Sequence, residues 1–206
     1  MLPDISRFEN FIDLTNGRVR YYEAGQGHIH TLLLHGGGLT ASADSFQFVI
    51  GPLSKHLHVY ALDNLGSGKS TRTLNYGPTF DVIIDGIREF MDIHNLDKVH
   101  VVGNGFGGWL GALLAYESPD RIAKLVILAG AGMDATPIGN VRNYVLPSKE
   151  TILSRLQKSV HAGSAFTQTL AAEVADQEFT LAHAHGAYEG RLPMVHQMDT
   201  PEIRRQ

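Results

Sequence analysis

Four of the six residues from 103 to 108 are glycine, in the order Gly103-Asn104-Gly105-Phe106-Gly107-Gly108. The cluster stands directly between a short apolar run, Val99–Val102, and a helix-like run, Trp109–Tyr116. A chain that passes from strand to helix this abruptly turns sharply and brings backbone close to backbone, which residues without a Cβ accommodate. The same pressure acts along the first part of the chain. Eighteen of the 22 glycines lie in residues 1–132 and only four in residues 133–206, so the chain has two compositional parts.

The runs between the glycines predict an α/β fold. Phe8–Leu14 and Arg18–Ala24 flank Asn16-Gly17, the signature of a hairpin whose turn accepts positive φ. Thr31–Leu34 reads as a buried strand stopped by Gly36-Gly37-Gly38, and Ala41–Leu53 as a helix capped by Ser42. Val59–Leu62 is a further strand ending at Asp63, and Phe80–His94 has the spacing of an amphipathic helix. Val99–Val102 and Leu125–Ala129 complete the series. Strands that read LLL, VYAL, VHVV and LVIL are expected to be buried on both faces of a mostly parallel sheet, with helices above and below. Residues 1–132 would form this core. In residues 133–206 only Ser148–Val160 and Ser164–His185 carry a structural signal, and it is helical. That part reads as an incomplete cap or lid.

Composition narrows the function classes. A chain of 206 residues is long enough for one well-buried domain. Seventeen basic against 21 acidic side chains, a net charge of −4, give no electrostatic case for a nucleic-acid or anionic-membrane partner. The absence of cysteine removes disulfides, thiolate metal sites and Cys nucleophiles. Met1-Leu2-Pro3-Asp4 has neither the basic start nor the apolar run of a secretory signal, and no apolar stretch approaches the roughly 20 residues that span a bilayer. The expectation is a cytoplasmic protein acting on a small molecule without cofactor or metal. His183-Ala184-His185 diverge at i, i+2 on a helix and lack an acidic pair, so they read as a solvated face. His28/His30 and His56/His58 read the same way.

Ligands of open α/β sheets gather at the carboxyl ends of the strands, where three motifs stand. Asp63–Ser70 ends in Gly68-Lys69-Ser70, but a phosphate-binding loop needs glycine where Asp63 stands, and a carboxylate there would face phosphate oxygens. It reads as a structural loop. Gly103, Gly105 and Gly108 match the dinucleotide fingerprint G-x-G-x-x-G. The next strand, however, ends in Gly130-Ala131-Gly132 with no acidic residue for a ribose, and Asp134 comes late. Dinucleotide binding is therefore the lesser alternative.

Taken together, His35-Gly36-Gly37-Gly38, the Asp63–Ser70 loop and the Gly103–Gly108 cluster resemble the α/β-hydrolases, in order and in strand context, over residues 8–132. The Gly-Asn-x-x-Gly-Gly form with its HGGG run is most similar to hydrolases that cleave C–C bonds in ring-fission (meta-cleavage) products, with related lactonases and esterases close behind. The resemblance implies a nucleophile elbow whose serine position is occupied by Gly105. It implies an oxyanion hole from the backbone N–H of Phe106 and one from Gly37 or Gly38, with Gly38 and Asn104 toward substrate. His35 would anchor the loop, Asn104 would either bond substrate or serve the turn, and Trp109 would pack the helix.

In that family the acid and then the base follow later strands. Residues 133–206 contain Asp134, Asp176, Asp199, His161, His183, His185 and His196 but no strand to carry them; His196 is the nearest candidate base. Two explanations fit. One is a hydrolase, inactive as given, whose serine is replaced by glycine and whose last sheet strands lie outside this chain. The other is a natural non-catalytic relative that binds a ligand or partner. Under the first, Leu125–Ala129 would be an unprotected edge, inviting a homo-oligomer or a complementing C-terminal fragment.

Overall fold

Alternation along the apolar runs sorts their side chains onto the two faces of one sheet. The computed structural model describes residues 1–72, 79–132, 145–159, 168–190 and 192. Six strands, β1 (Glu9–Leu14), β2 (Gly17–Ala24), β3 (His30–Leu34), β4 (His58–Leu62), β5 (Val99–Asn104) and β6 (Ile122–Leu128), lie in the order β1-β2-β4-β3-β5-β6. β1 and β2 form an antiparallel hairpin, β2 joins β4 antiparallel, and β4, β3, β5 and β6 run parallel. Leu32, Leu34, Tyr60 and Leu62 pack with α2 (Phe80–Ile93) and α3 (Phe106–Glu117). Their neighbours Leu33, Val59 and Ala61 pack on the opposite face, under a 3-10 turn (Ala43–Phe46) and α1 (Gln47–Leu53). The period of two in the strands thus builds both halves of the core.

Three local expectations need correction. The hairpin register pairs Leu14 with Gly17, so Thr15 and Asn16 make the turn; the positive φ falls on Gly17 (φ +138) and not on Asn16. The helix expected over 41–53 is split into the 3-10 turn and α1. Ser42 still caps, its hydroxyl accepting from the Asp44 N–H, while the Asp44 carboxylate is drawn to the buried Arg20. β6 is not buried on both faces: Val126 is 47% and Leu128 49% exposed. Among the described strands only β5 pairs with it.

Beyond residue 144, the described residues form α4 (Lys149–Ser159), α5 (Gln168–Ala182) and the turns that follow. Ile152, Ala171, Val174 and Ala175 are buried where this pair packs. Gln177 on α5 accepts a hydrogen bond from Gln47 on α1 (3.2 Å), and Glu173 accepts one from the Leu2 N–H (2.9 Å). No described helix is long and apolar enough to cross a membrane.

Candidate functional site

Glycine occupies alternate positions, 103, 105 and 107, through the turn between β5 and α3. Gly105 has φ +54 and ψ −114, a conformation costly for any residue with a side chain. Its N–H donates to the Leu128 carbonyl (2.8 Å), and its own carbonyl accepts from Gly108 (3.0 Å) and Ala131 (3.0 Å), so the turn is locked to the end of β6. A Cβ on Gly103 would lie 2.2 Å from the Gly107 carbonyl oxygen, and one on Gly107 only 2.0 Å from that of Leu34. Neither position tolerates a methyl group. A Cβ on Gly105 would meet nothing nearer than the Gly36 Cα at 3.8 Å and the Ala129 oxygen at 3.9 Å. The strained corner therefore holds open space for one side chain, at the tip of β5.

The loop after β3 lies against this corner. A Cβ on Gly37 would stand 3.3 Å from that of Phe106, and one on Gly36 would stand 3.6 Å from the Asn104 carbonyl. The Phe106 N–H belongs to the first turn of α3, where helical N–H groups have no partner within the helix. Gly37 and Phe106 are thus brought together. Gly38 has φ +103 and would carry a Cβ into open space. Asn104 is exposed at the end of β5. His35 is fully buried and spans two loops: its Nδ1 bonds the Gly36 carbonyl (2.7 Å) and its Nε2 accepts from the Asn64 N–H (3.1 Å). Those partners require a neutral ring with the proton on Nδ1. Trp109 is buried against Phe80 (centroids 4.6 Å apart), a packing role.

The third loop is organised by an internal anion. Asp63 accepts from the Ala43 N–H (2.7 Å), the Lys69 N–H (2.7 Å) and the Arg20 guanidinium (2.7 and 2.8 Å). A Cβ on Gly68 would fall within 1.9 Å of that carboxylate. The loop that resembles a phosphate cradle is filled by its own aspartate. Arg20, fully buried on β2, also binds Asp44 (2.8 Å) and the Tyr22 hydroxyl (2.6 Å). Burial works against its charge, but Asp63 and Asp44 outweigh that and raise its pKa. Burial likewise raises the Asp44 carboxyl, yet hydrogen bonds and charge from Arg20 hold it below the usual range.

Arg20 was not among the sequence candidates. On a strand an arginine reads as solvent-facing, and only the tertiary position of two aspartates reveals its partners. The segment Ala129–Gly132, expected only as the end of a strand, forms a wall of the corner, and Ala129 carries φ +46. Its Gly-Ala-Gly sequence was the available signal. Asp176 lies on α5 and pairs with Lys149, while His183 bonds the Phe179 carbonyl (3.0 Å), both remote from Gly105 in sequence and engaged elsewhere. Asp134, His161, His196 and Asp199 lie outside the described residues.

A family model described as alpha/beta hydrolase fold matches residues 30–173. The dihydrolipoyllysine-residue acetyltransferase component of the acetoin cleaving system of Cupriavidus necator is 32% identical over 143 residues, 69% of this chain and 37% of that protein. The 2-hydroxy-6-oxo-6-(2'-aminophenyl)hexa-2,4-dienoic acid hydrolase of Metapseudomonas resinovorans is 34% identical over 128 residues, 61% of this chain and 43% of the hydrolase. Among solved structures, a meta-cleavage product hydrolase from Pseudomonas fluorescens IP01 superposes with a TM-score of 0.75 at 25% identity, covering 95% of this chain and 70% of that one. The chain spans 37% and 43% of the lengths of these two curated relatives.

Proposed function

The chain belongs to the alpha/beta hydrolase fold family, and from that premise we propose that it presents a nucleophile elbow for a small ester, lactone or ring-fission C–C substrate, with glycine in the nucleophile's place. The observation that carries the reading is the corner at Gly105, strained in φ yet open to a side chain, between two glycines that admit none. A serine at 105 would point its hydroxyl into that space. Attack on a substrate carbonyl would place negative charge beside the N–H groups of Phe106 and Gly37, and each such donor is worth about 3 kcal/mol of barrier. Gly38 and Asn104 border the same opening and would face substrate. The helices beyond residue 144 form the cap in this reading, and the acid and base are sought outside the described residues. With glycine at 105 no covalent intermediate forms, so the chain as given is inactive.

Restoring the nucleophile tests this. Gly105→Ser in the full-length protein is expected to release one equivalent of phenol in a burst from an activated aryl ester, and to turn over a ring-fission dienoate. A folded variant that shows no burst and no turnover overturns the hydrolase reading. A non-catalytic relative is the second reading, favoured by one observation: glycine removes the strain of about 1–3 kcal/mol that a side chain bears at such φ and ψ. It predicts that the Gly105 protein binds a dienoate tightly while Gly105→Ser gains no activity.

A further inference from the structure

Three imidazoles gather on one face of the sheet, at the end opposite Gly105. His30 opens β3 and His58 opens β4, and the two are direct partners in the parallel register. The His58 N–H donates to the Ile29 carbonyl (3.0 Å) beside them, and their rings stand 5.2 Å apart. The third, His94, caps the end of α2 and stacks on Phe90 (4.1 Å). Tyr60 joins the group, its ring 4.6 Å from that of His58 and 5.6 Å from that of His94. Read from the sequence, His30 and His58 belong to solvated faces. The register instead leaves both half-buried in this cluster, and only His28 and His56 are exposed.

The three rings are not equally ready for a second proton. His94 donates from Nδ1 to the Phe90 carbonyl (2.9 Å), and its Nε2 meets the Tyr21 hydroxyl (3.1 Å), which accepts as readily as it donates. His58 holds the Glu23 carboxylate through Nε2 (2.8 Å), so a positive charge on it is matched. His30 has no such arrangement: its Nδ1 is buried and has no hydrogen-bond partner among the described residues. A neutral ring meets this by carrying its proton on Nε2, which leaves only a lone pair at Nδ1. A charged ring must place an N–H there, buried and unpaired. Burial and then the neighbouring His58 lower the pKa of His30; Glu23 acts the other way, and His28 adds to the lowering. Tyr60 is pushed up to about 12, chiefly by burial, and stays neutral throughout the acid range.

We propose that His30 is a proton-sensitive clasp of the fold: neutral, it lets the starts of β3 and β4 close with their rings in contact, and protonated, it is expelled and opens them. The folded state disfavours the charged ring, so the unfolded chain takes up the proton first. Stability is therefore lost as pH falls below about 6.5, the ordinary imidazole value, and the loss levels off below the folded value. The clasp lies away from the corner at Gly105 and operates whatever residue stands there.

Urea unfolding at pH 7 and pH 5 tests the clasp against His30→Gln, whose amide takes up no proton in this range. The parent is expected to lose stability between the two pH values, and His30→Gln to lose distinctly less. Amide exchange, corrected for its intrinsic pH dependence, should place the loss: at pH 5 the parent exchanges faster at residues 29–33 and 58–62 while α3 keeps its protection. The same pH dependence in parent and variant overturns the clasp, and so does an acid loss with no faster exchange at these strand starts. If His30→Gln fails to fold, an NMR titration of the His30 ring in the parent decides alone. Half-protonation below pH 6.5 is expected, and a midpoint at or above that value overturns the proposal.

Discussion

Gly103, Gly105 and Gly107 sit in one turn yet answer to different constraints, and substitution separates them. At Gly107 a methyl group meets a carbonyl oxygen of β3, so Gly107→Ala should cost at least about 3 kcal/mol in urea denaturation through forced backbone movement. At Gly105 there is room and only φ objects, so Gly105→Ala should cost about 1–2 kcal/mol. A larger penalty at 105 than at 107 would contradict the geometry of the corner. Asp44 offers a second measurement. Its carboxyl is lower in the folded state than in the unfolded one, so its contribution is present above about pH 4 and is lost as pH falls through the folded value. Asp44→Asn should therefore be less stable than the parent at pH 7, with the gap closing toward pH 3.

At the scale of elements, β2 and β4 are joined by charge as well as by their ladder. Arg20 reaches from β2 to Asp63 at the tip of β4 and to Asp44 in the turn before α1. Arg20→Met keeps much of the volume and strands two buried carboxylates. We expect a loss of about 3–5 kcal/mol, read as a fall in the urea midpoint. The elements themselves were largely legible. β3, β4 and α2 begin and end within about a residue of their expected limits, because uniform apolar runs and a 3.6-residue period are local signals. The helix over 41–53 was misread as continuous, since nothing local announces that Asp44 is claimed by Arg20. The apolar run of β6 was read as buried on both faces, because periodicity reports hydrophobicity and not position in the sheet.

For the whole molecule, the exposed side of β6 has a consequence in solution. Val126 and Leu128 present apolar surface on a strand that has one neighbour, β5, among the described strands, a template for pairing with a second strand. The chain is expected to self-associate at micromolar concentration in sedimentation velocity, and Val126→Lys should shift it toward the monomer. A monomeric parent would show that the edge is protected. The order of strands and motifs along the chain, the glycine-rich turn at the end of β5 and the glycine at position 105 were all determined by the sequence alone, because each depends on residue type over a few neighbours. Tertiary structure decided the rest. It brought Gly37 against Phe106 across nearly 70 positions, buried Arg20 between two aspartates, and placed Gln177 against Gln47. Those relations join residues far apart in the chain, and only the packing of sheet and helices sets the distances between them.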